Sequence, residues 1–140
     1  MIPPQVMAAL HARCFTVPRP WGQAEFSSLL SGGGVFALGD GQGFILGRAI
    51  AGEAEVLTLA VAPEARRKGR ARGLLQGFLT EAATRHAETA FLEVAANNIA
   101  AIALYKASDF AVAGRRKGYF TPPLGPNLDA LVMSRMITPN

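Results

Sequence analysis

Little in this sequence points to stabilisation by disulfides or metal ions. Its one cysteine, Cys14, cannot form an intrachain disulfide, which is typical of a reducing compartment. Its two histidines, His11 and His86, lie far apart, so we expect no zinc site and no bound metal. No apolar run approaches the roughly 20 residues that span a bilayer, and the N-terminus lacks the pattern of a signal peptide. We therefore expect a soluble cytoplasmic protein that does not bind membranes.

Charged residues are also few, and the cationic ones are concentrated. Only 17% of the 140 residues are charged, with a formal net charge of +4, while 50% are hydrophobic. That composition suits one compact domain over residues 1–140. Most of the lysines and arginines fall into two clusters, at residues 66–72 and 115–117. A nucleic-acid-binding protein more often spreads its cations along a face, so the clusters indicate a smaller ligand.

Apolar periodicity and glycine or proline breaks predict the order of the secondary structure. Helices are expected at residues 4–15, 23–30, 70–86 and 97–108, and strands at 35–39, 43–50, 52–61, 89–95, 109–116 and 130–137. An irregular loop is expected at residues 117–129 between the last two strands. This order predicts an α/β (α+β) fold with a mixed central sheet of about six or seven strands flanked by helices. No clear strand precedes the first helix.

The segment RRKGRARGLL, residues 66–75, lies between a buried strand that stops at Pro63 and a leucine-rich helix. The first N–H groups of a helix lack intrahelical partners, and the helix dipole adds positive charge at the same end. Glycine or alanine there lets a phosphate approach the backbone, and arginines add charge-assisted contacts. The segment therefore predicts a phosphate site, although a solvated basic helical turn would have the same composition.

Within this segment Arg66, Gly69 and Ala71 form the pattern R-x-x-G-x-A, which resembles the acetyl-CoA pyrophosphate loop of the GNAT N-acetyltransferase family. The runs FLEVAANNIAAIALYKASDF and RRKGYF further resemble the RimI-like subgroup, the bacterial ribosomal-protein N-terminal alanine acetyltransferases. The likeness covers roughly residues 54–120. It implies a GNAT fold, acetyl-CoA as co-substrate, and the N-terminal α-amine of a protein, possibly ribosomal, as the acceptor. Nucleic acid is not expected as a direct ligand.

Acetyl transfer requires a neutral amine, a stabilised oxyanion and a protonated leaving thiolate. Glu93 interrupts the apolar strand AFLEVA, and the resemblance makes it the general base. Alternation alone would fit a solvent-facing, salt-bridged glutamate equally well. The resemblance makes Tyr105 the acid that protonates the thiolate, whereas a helical tyrosine by itself is usually a packed aromatic. Glu55 and Tyr119 are candidate acceptor contacts; the alternative is an exposed strand residue for Glu55 and plain packing for Tyr119.

The cofactor contacts are carried over from the resemblance. Main-chain groups of Leu59, Ala60 and Val61 would meet the pantetheine amides, as would Asn98, which is also placed to cap a helix. The phosphate-facing residues would be Arg67, Lys68, Gly69, Arg70, Ala71 and Arg72. One departure from the pattern is Asp109, where the family has glycine before the phenylalanine. Aspartate tolerates the left-handed conformation better than most residues.

Three functions remain open at this level. The first is N-terminal protein acetylation by direct attack in a ternary complex, since a lone cysteine gives no support for an acetyl-cysteine intermediate. The second keeps the chemistry but takes a small-molecule amine or a lysine side chain as acceptor. The third is a non-catalytic RNA-binding module, for which the aromatic residues expected beside the cations are few.

Overall fold

The structure is a computed structural model that describes residues 2–17 and 19–138. Its helices are α1 (Pro4–Cys14), α2 (Gln23–Leu30), α3 (Arg70–Thr84) and α4 (Ile99–Ala107). Its strands are β1 (Val35–Asp40), β2 (Gly43–Ile50), β3 (Glu53–Val61), β4 (Thr89–Ala95), β5 (Ala111–Phe120) and β6 (Leu128–Met136). None of the helices among the described residues is long and apolar enough to cross a membrane.

The six strands form one mixed sheet in the order β1-β2-β3-β4-β6-β5. Only β3 and β4 pair in parallel, and the other neighbours are antiparallel. Helix α3 makes the crossover between the two parallel strands, as parallel connections require. The mixed sheet and the order of its elements are as the sequence predicts.

Helices cover both faces of this sheet. Helices α3 and α4 bury a core that includes Phe78, Leu92 and Met133. Helices α1 and α2 bury a second core on the opposite face, around Phe26 and Phe44. Helices α1 and α2 pack over β2 and β3. The rest of the same face, formed by β4, β5 and β6, has no described helix against it.

The hairpin of β5 and β6 departs from the sequence prediction. Residues 117–120 continue β5, and β6 already begins at Leu128, so the loop predicted at 117–129 is shorter at both ends. Gly118 adopts φ of 61°, a left-handed conformation that glycine permits, and its N–H donates to Asp129 Oδ1 at 2.9 Å. This local bond keeps an irregular stretch paired across the hairpin, which composition alone does not reveal.

His11 of α1 ties three parts of the fold together. Its imidazole is fully buried, and the Trp21 N–H donates to Nδ1 at 2.9 Å. Because Nδ1 is an acceptor, the proton of the neutral ring lies on Nε2, which donates to Thr58 Oγ1 at 2.9 Å. Burial lowers the pKa of His11 to about 4, so the ring stays neutral in the folded protein at neutral pH.

We expect the stability of the fold to fall as the pH drops from about 6.5 to about 4. In the unfolded chain His11 takes up a proton with its ordinary pKa of 6.5, whereas in the native state this occurs only near 4. The contribution of His11 to the free energy of unfolding is therefore fully retained above pH 6.5 and decreases below it, by roughly 1–3 kcal/mol. Urea unfolding at pH 7.5, 6.0 and 5.0 measures this slope.

The matched variant for this measurement is His11→Asn, which removes the titrating ring. It should be less stable at pH 7.5, because stacking and a hydrogen bond are lost, but should lose less additional stability between pH 6.5 and 5. A variant with the same pH dependence as the wild type would show that His11 does not cause the slope.

Candidate functional site

A cleft opens in the sheet between β3 and β4. The two strands pair only where residues 53–55 face residues 89–91, although β3 continues to Val61 and β4 to Ala95. Leu57 is skipped in the register with β2, where Val56 and Thr58 pair with Gly47 and Leu46. Such a bulge bends a strand, which turns the second half of β3 away from β4. Backbone groups on this side of β3 are left without a strand partner.

The predicted cofactor strand residues lie along one edge of this cleft. Leu59, Ala60 and Val61 pair with β2 on one side only. Their other edge has no strand partner, as contacts with an extended amide ligand require, although the Val61 carbonyl already accepts from Arg66 Nε at 2.9 Å.

The N-terminus of α3 follows β3 after the connection at residues 62–69 and has no side-chain cap. Arg67 and Gly69 adopt left-handed φ values of 63° and 74°, which turn the loop sharply into the helix. The first intrahelical bond of this turn is made by the Gly73 N–H to the Gly69 carbonyl. The preceding N–H groups at the start of the helix are therefore free to bind an anion.

The cations of this loop divide into two groups. Arg66 Nε donates to the Val61 carbonyl at 2.9 Å, and Arg70 pairs with Asp40, which joins α3 to the β1–β2 turn. Both hold the loop in place. Arg67, Lys68 and Arg72 are exposed and make no ion pair with another described residue. Of the predicted phosphate contacts, these three are available to an anion in solution.

Glu93 lies on β4 beside the cleft. Its neighbours Leu92 and Val94 point into the core beneath α3 and α4, so alternation places Glu93 on the opposite, uncovered face. Its side chain is 23% exposed, and its buried Oε2 lies 2.6 Å from Arg116 Nε of β5. That contact is an ion pair without the alignment of a hydrogen bond.

Tyr105 is on α4, on the other face of the sheet. Its ring is 8% exposed and packs edge-on against Phe110, with centroids 6.0 Å apart. Its hydroxyl has no hydrogen-bond partner within residues 2–17 and 19–138. Burial raises the pKa of Tyr105 to about 12, which keeps the phenol protonated.

Two predictions about the ends of α4 are confirmed. Asn98 caps the helix, since its side-chain oxygen accepts from the Ala101 N–H at 3.2 Å. Asp109, at the position where the family pattern has glycine, adopts φ of 69° and so keeps the left-handed turn. The turn that carries the chain from α4 into β5 is therefore preserved despite the substitution.

The candidate acceptor residues lie at separate places, Glu55 near the start of β3 and Tyr119 near the end of β5. Glu55 pairs with Arg48 at 2.8 Å, and both line a cavity of about 260 Å³ that is also bounded by Phe91. Phe91 precedes Glu93 by two residues, so Glu93 is the next residue of β4 on the same face as this cavity wall. Tyr119 is exposed on β5, with the guanidinium of Arg116 5.7 Å from its ring centroid.

Sequence reasoning missed the partners of the two carboxylates. Arg116 belongs to the second cationic cluster, which the sequence marks only as a run of charge. Arg48 is an isolated arginine inside an apolar strand, a pattern that could have indicated an ion-paired position. Neither partner can be identified from the sequence alone, because each pair joins different strands.

Known proteins of similar sequence are acetyltransferases. The sequence profile described as the acetyltransferase (GNAT) family matches residues 7–110. The [ribosomal protein bS18]-alanine N-acetyltransferase of Salmonella typhimurium is 37% identical over 95 residues, or 68% of this chain. The aligned region spans 64% of that relative's length.

Two solved structures have the same fold. The ribosomal-protein-S18-alanine N-acetyltransferase of Escherichia coli superposes with a TM-score of 0.85 at 29% identity, over 98% of this chain and 89% of that one. NAA60 of Arabidopsis thaliana, in complex with a bisubstrate analogue, superposes with a TM-score of 0.82 at 20% identity, over 99% of this chain and 96% of that one. The last likeness concerns the fold alone. With well over half of its residues matched to the profile, the chain belongs to the acetyltransferase (GNAT) family.

Proposed function

We propose that this protein transfers the acetyl group of acetyl-CoA to the N-terminal α-amine of a protein. The observation that carries the proposal is the cleft between β3 and β4, which has the uncapped N-terminus of α3 at one end and Glu93 at its side. The names of the Salmonella typhimurium and Escherichia coli relatives suggest the alanine terminus of ribosomal protein S18 as the first acceptor to test. The protein would act in the cytoplasm as one domain.

The residues present fit a pantetheine–pyrophosphate ligand. Free N–H groups at the start of α3 would hold the pyrophosphate, with Arg67, Lys68 and Arg72 adding charge-assisted contacts. Gly69 and Ala71 would allow its close approach, and Arg70 would act chiefly by holding the helix against Asp40. Main-chain groups of residues 59–61, together with Asn98, would bind the pantetheine amides. Acetyl-CoA supplies the activated acetyl thioester.

Two side chains would move the protons of the reaction. Glu93 would accept a proton from the acceptor nitrogen, directly or through water, as the new carbon–nitrogen bond forms. The Tyr105 hydroxyl would donate its proton to the sulfur as the carbon–sulfur bond breaks, and solvent would restore both groups. Because Leu92 and Val94 point toward Tyr105 in the core while Glu93 points away, the two groups approach the cleft from opposite faces.

An α-amine suits this site better than a lysine side chain does. The pKa of an α-amine is about 7.7–8.0 and that of lysine about 10.4, so deprotonation of lysine at neutral pH costs roughly 3.5 kcal/mol more. A single partly exposed carboxylate is a modest base, which is adequate to deprotonate an α-amine. Glu55, in the cavity bounded by Phe91, and Tyr119, beside the Arg116 that pairs with Glu93, would contact the acceptor chain.

We expect turnover with short peptides that have a free α-amine and none with a terminally blocked peptide containing lysine. Release of free thiol from acetyl-CoA measures the reaction, with peptides beginning Ala-Arg, Ser and Met compared side by side. Binding of acetyl-CoA without reaction of any peptide would contradict the protein acceptor and favour a small-molecule amine. Absence of acetyl-CoA binding, measured by calorimetry, would contradict the assignment of the α3 loop.

A further inference from the structure

We infer that Arg116 is a positioning residue for the reaction, because it holds one oxygen of the Glu93 carboxylate and leaves the other free for the acceptor. The inference rests on the proposed function for its use of Glu93 as the base. The two carboxylate oxygens have different surroundings. Oε2 is buried and lies 2.6 Å from Arg116 Nε, whereas Oε1 forms no ion pair with a described residue and belongs to a side chain that is 23% exposed.

A buried carboxylate oxygen needs a compensating charge, since an unpaired one is costly to remove from water. No described group donates an aligned hydrogen bond to Oε2. Arg116 is the one described residue that forms a salt bridge with Glu93. Without it, the carboxylate would rotate toward solvent, and this change would remove a base directed at the cleft.

The sheet register explains how a residue on β5 reaches a residue on β4. Arg116 pairs with Ala130 of β6, which in turn pairs with Ala95 of β4. Both alanine side chains are small, so a long arginine side chain can extend across β6 toward Glu93. The register slips directly after Arg116, between this residue and Phe120, which sets where the strand bends.

The contact between Arg116 and Tyr119 helps to orient the guanidinium toward Glu93. The Arg116 side chain is 57% exposed and lies over the Tyr119 ring, 5.7 Å from its centroid. Stacking of this kind limits the directions in which the guanidinium can point. The neighbouring Arg115 is engaged differently, in an ion pair with Asp129 at 2.6 Å, and does not contact Glu93. The two adjacent arginines therefore provide a test and its matched control.

The test is a double-mutant cycle between Arg116→Gln and Glu93→Gln. Because a misdirected catalytic group costs up to about 10²-fold, we expect Arg116→Gln alone to lower kcat by roughly 10- to 100-fold. The KM for acetyl-CoA should stay unchanged. In the Glu93→Gln background the same change should alter kcat less than about twofold, since no base remains to be positioned. Arg116→Lys should recover part of kcat, and Arg115→Gln should alter it less than about twofold.

The outcomes that overturn the inference are distinct from failure of the proposed function. An equal loss of kcat in both backgrounds, or an effect confined to the KM of the acceptor, would show that Arg116 does not act through Glu93. The cycle uses whichever amine is turned over, so it does not depend on the protein acceptor. A readout independent of turnover is the carboxyl ¹³C resonance of Glu93, assigned by its loss in Glu93→Gln. It should shift in Arg116→Gln and not in Arg115→Gln, and an unshifted resonance would contradict the contact.

Discussion

Tyr105→Phe should lower kcat by roughly 10²–10⁴-fold, the contribution typical of a positioned proton donor. Phenylalanine fills the same volume and keeps the edge-on contact with Phe110, so the fold should be retained. The pKa of Tyr105, raised by burial to about 12, means that the phenol carries its proton at every pH where the enzyme is assayed. The deficit of the variant should therefore be nearly constant between pH 6 and 9.

The measurement is steady-state thiol release, together with acetyl-CoA affinity from calorimetry. We expect the dissociation constant to change less than about threefold, because the hydroxyl is assigned to the leaving sulfur rather than to ground-state binding. A variant that keeps a third of the wild-type kcat would show that Tyr105 is a packing residue. In that case solvent or another group must protonate the thiolate.

Glu93→Gln should also lower kcat by roughly 10²–10⁴-fold at pH 7, where most of the α-amine is protonated. The amide keeps the size of the side chain but cannot take up the proton. The deficit should narrow as the pH rises to about 9, since more of the acceptor then arrives as the free amine. This pH dependence separates loss of a base from loss of structure. If the structure were damaged, the deficit in kcat would not depend on the protonation of the acceptor amine.

The matched control is Glu81→Gln, the same chemical change on the solvent side of α3. Glu81 pairs with Arg85 within one helix at 2.7 Å, and exposed pairs of this kind contribute little to stability. Its kcat should stay within about twofold of the wild type. A Glu93→Gln enzyme with wild-type kcat at pH 7 would exclude Glu93 as the base and direct attention to Glu55.

The local patterns of the chain were sufficient to predict its elements. Periodic leucines predict α3, glycine turns separate β1, β2 and β3, and Asn98 caps α4 as expected. Prediction was weakest at residues 117–129, where pairing of β5 with β6 extends through an irregular stretch. Strand pairing is a contact between distant residues, and local composition reports on it only weakly.

The same distinction applies to the candidate site. The sequence predicts an anion-binding loop, because a helix start with glycine and cations is a local feature whose chemistry follows from the backbone. It also marks Glu93 and Tyr105, through the resemblance, but not their surroundings. The bulge at Leu57 that opens the cleft depends on the register between β2 and β3.

By itself, then, the sequence determined the order of the elements, the chemical character of the loop and the family to which the chain is similar. All of these depend on residues close together in the chain. Only the tertiary structure decided which arginines are free to meet an anion, which face Glu93 takes and which cation lies beside it. Those properties depend on groups that approach within a few ångströms after folding, such as Arg116 and Glu93 across strand β6. The number of residues between them in the sequence does not indicate how close they are in space.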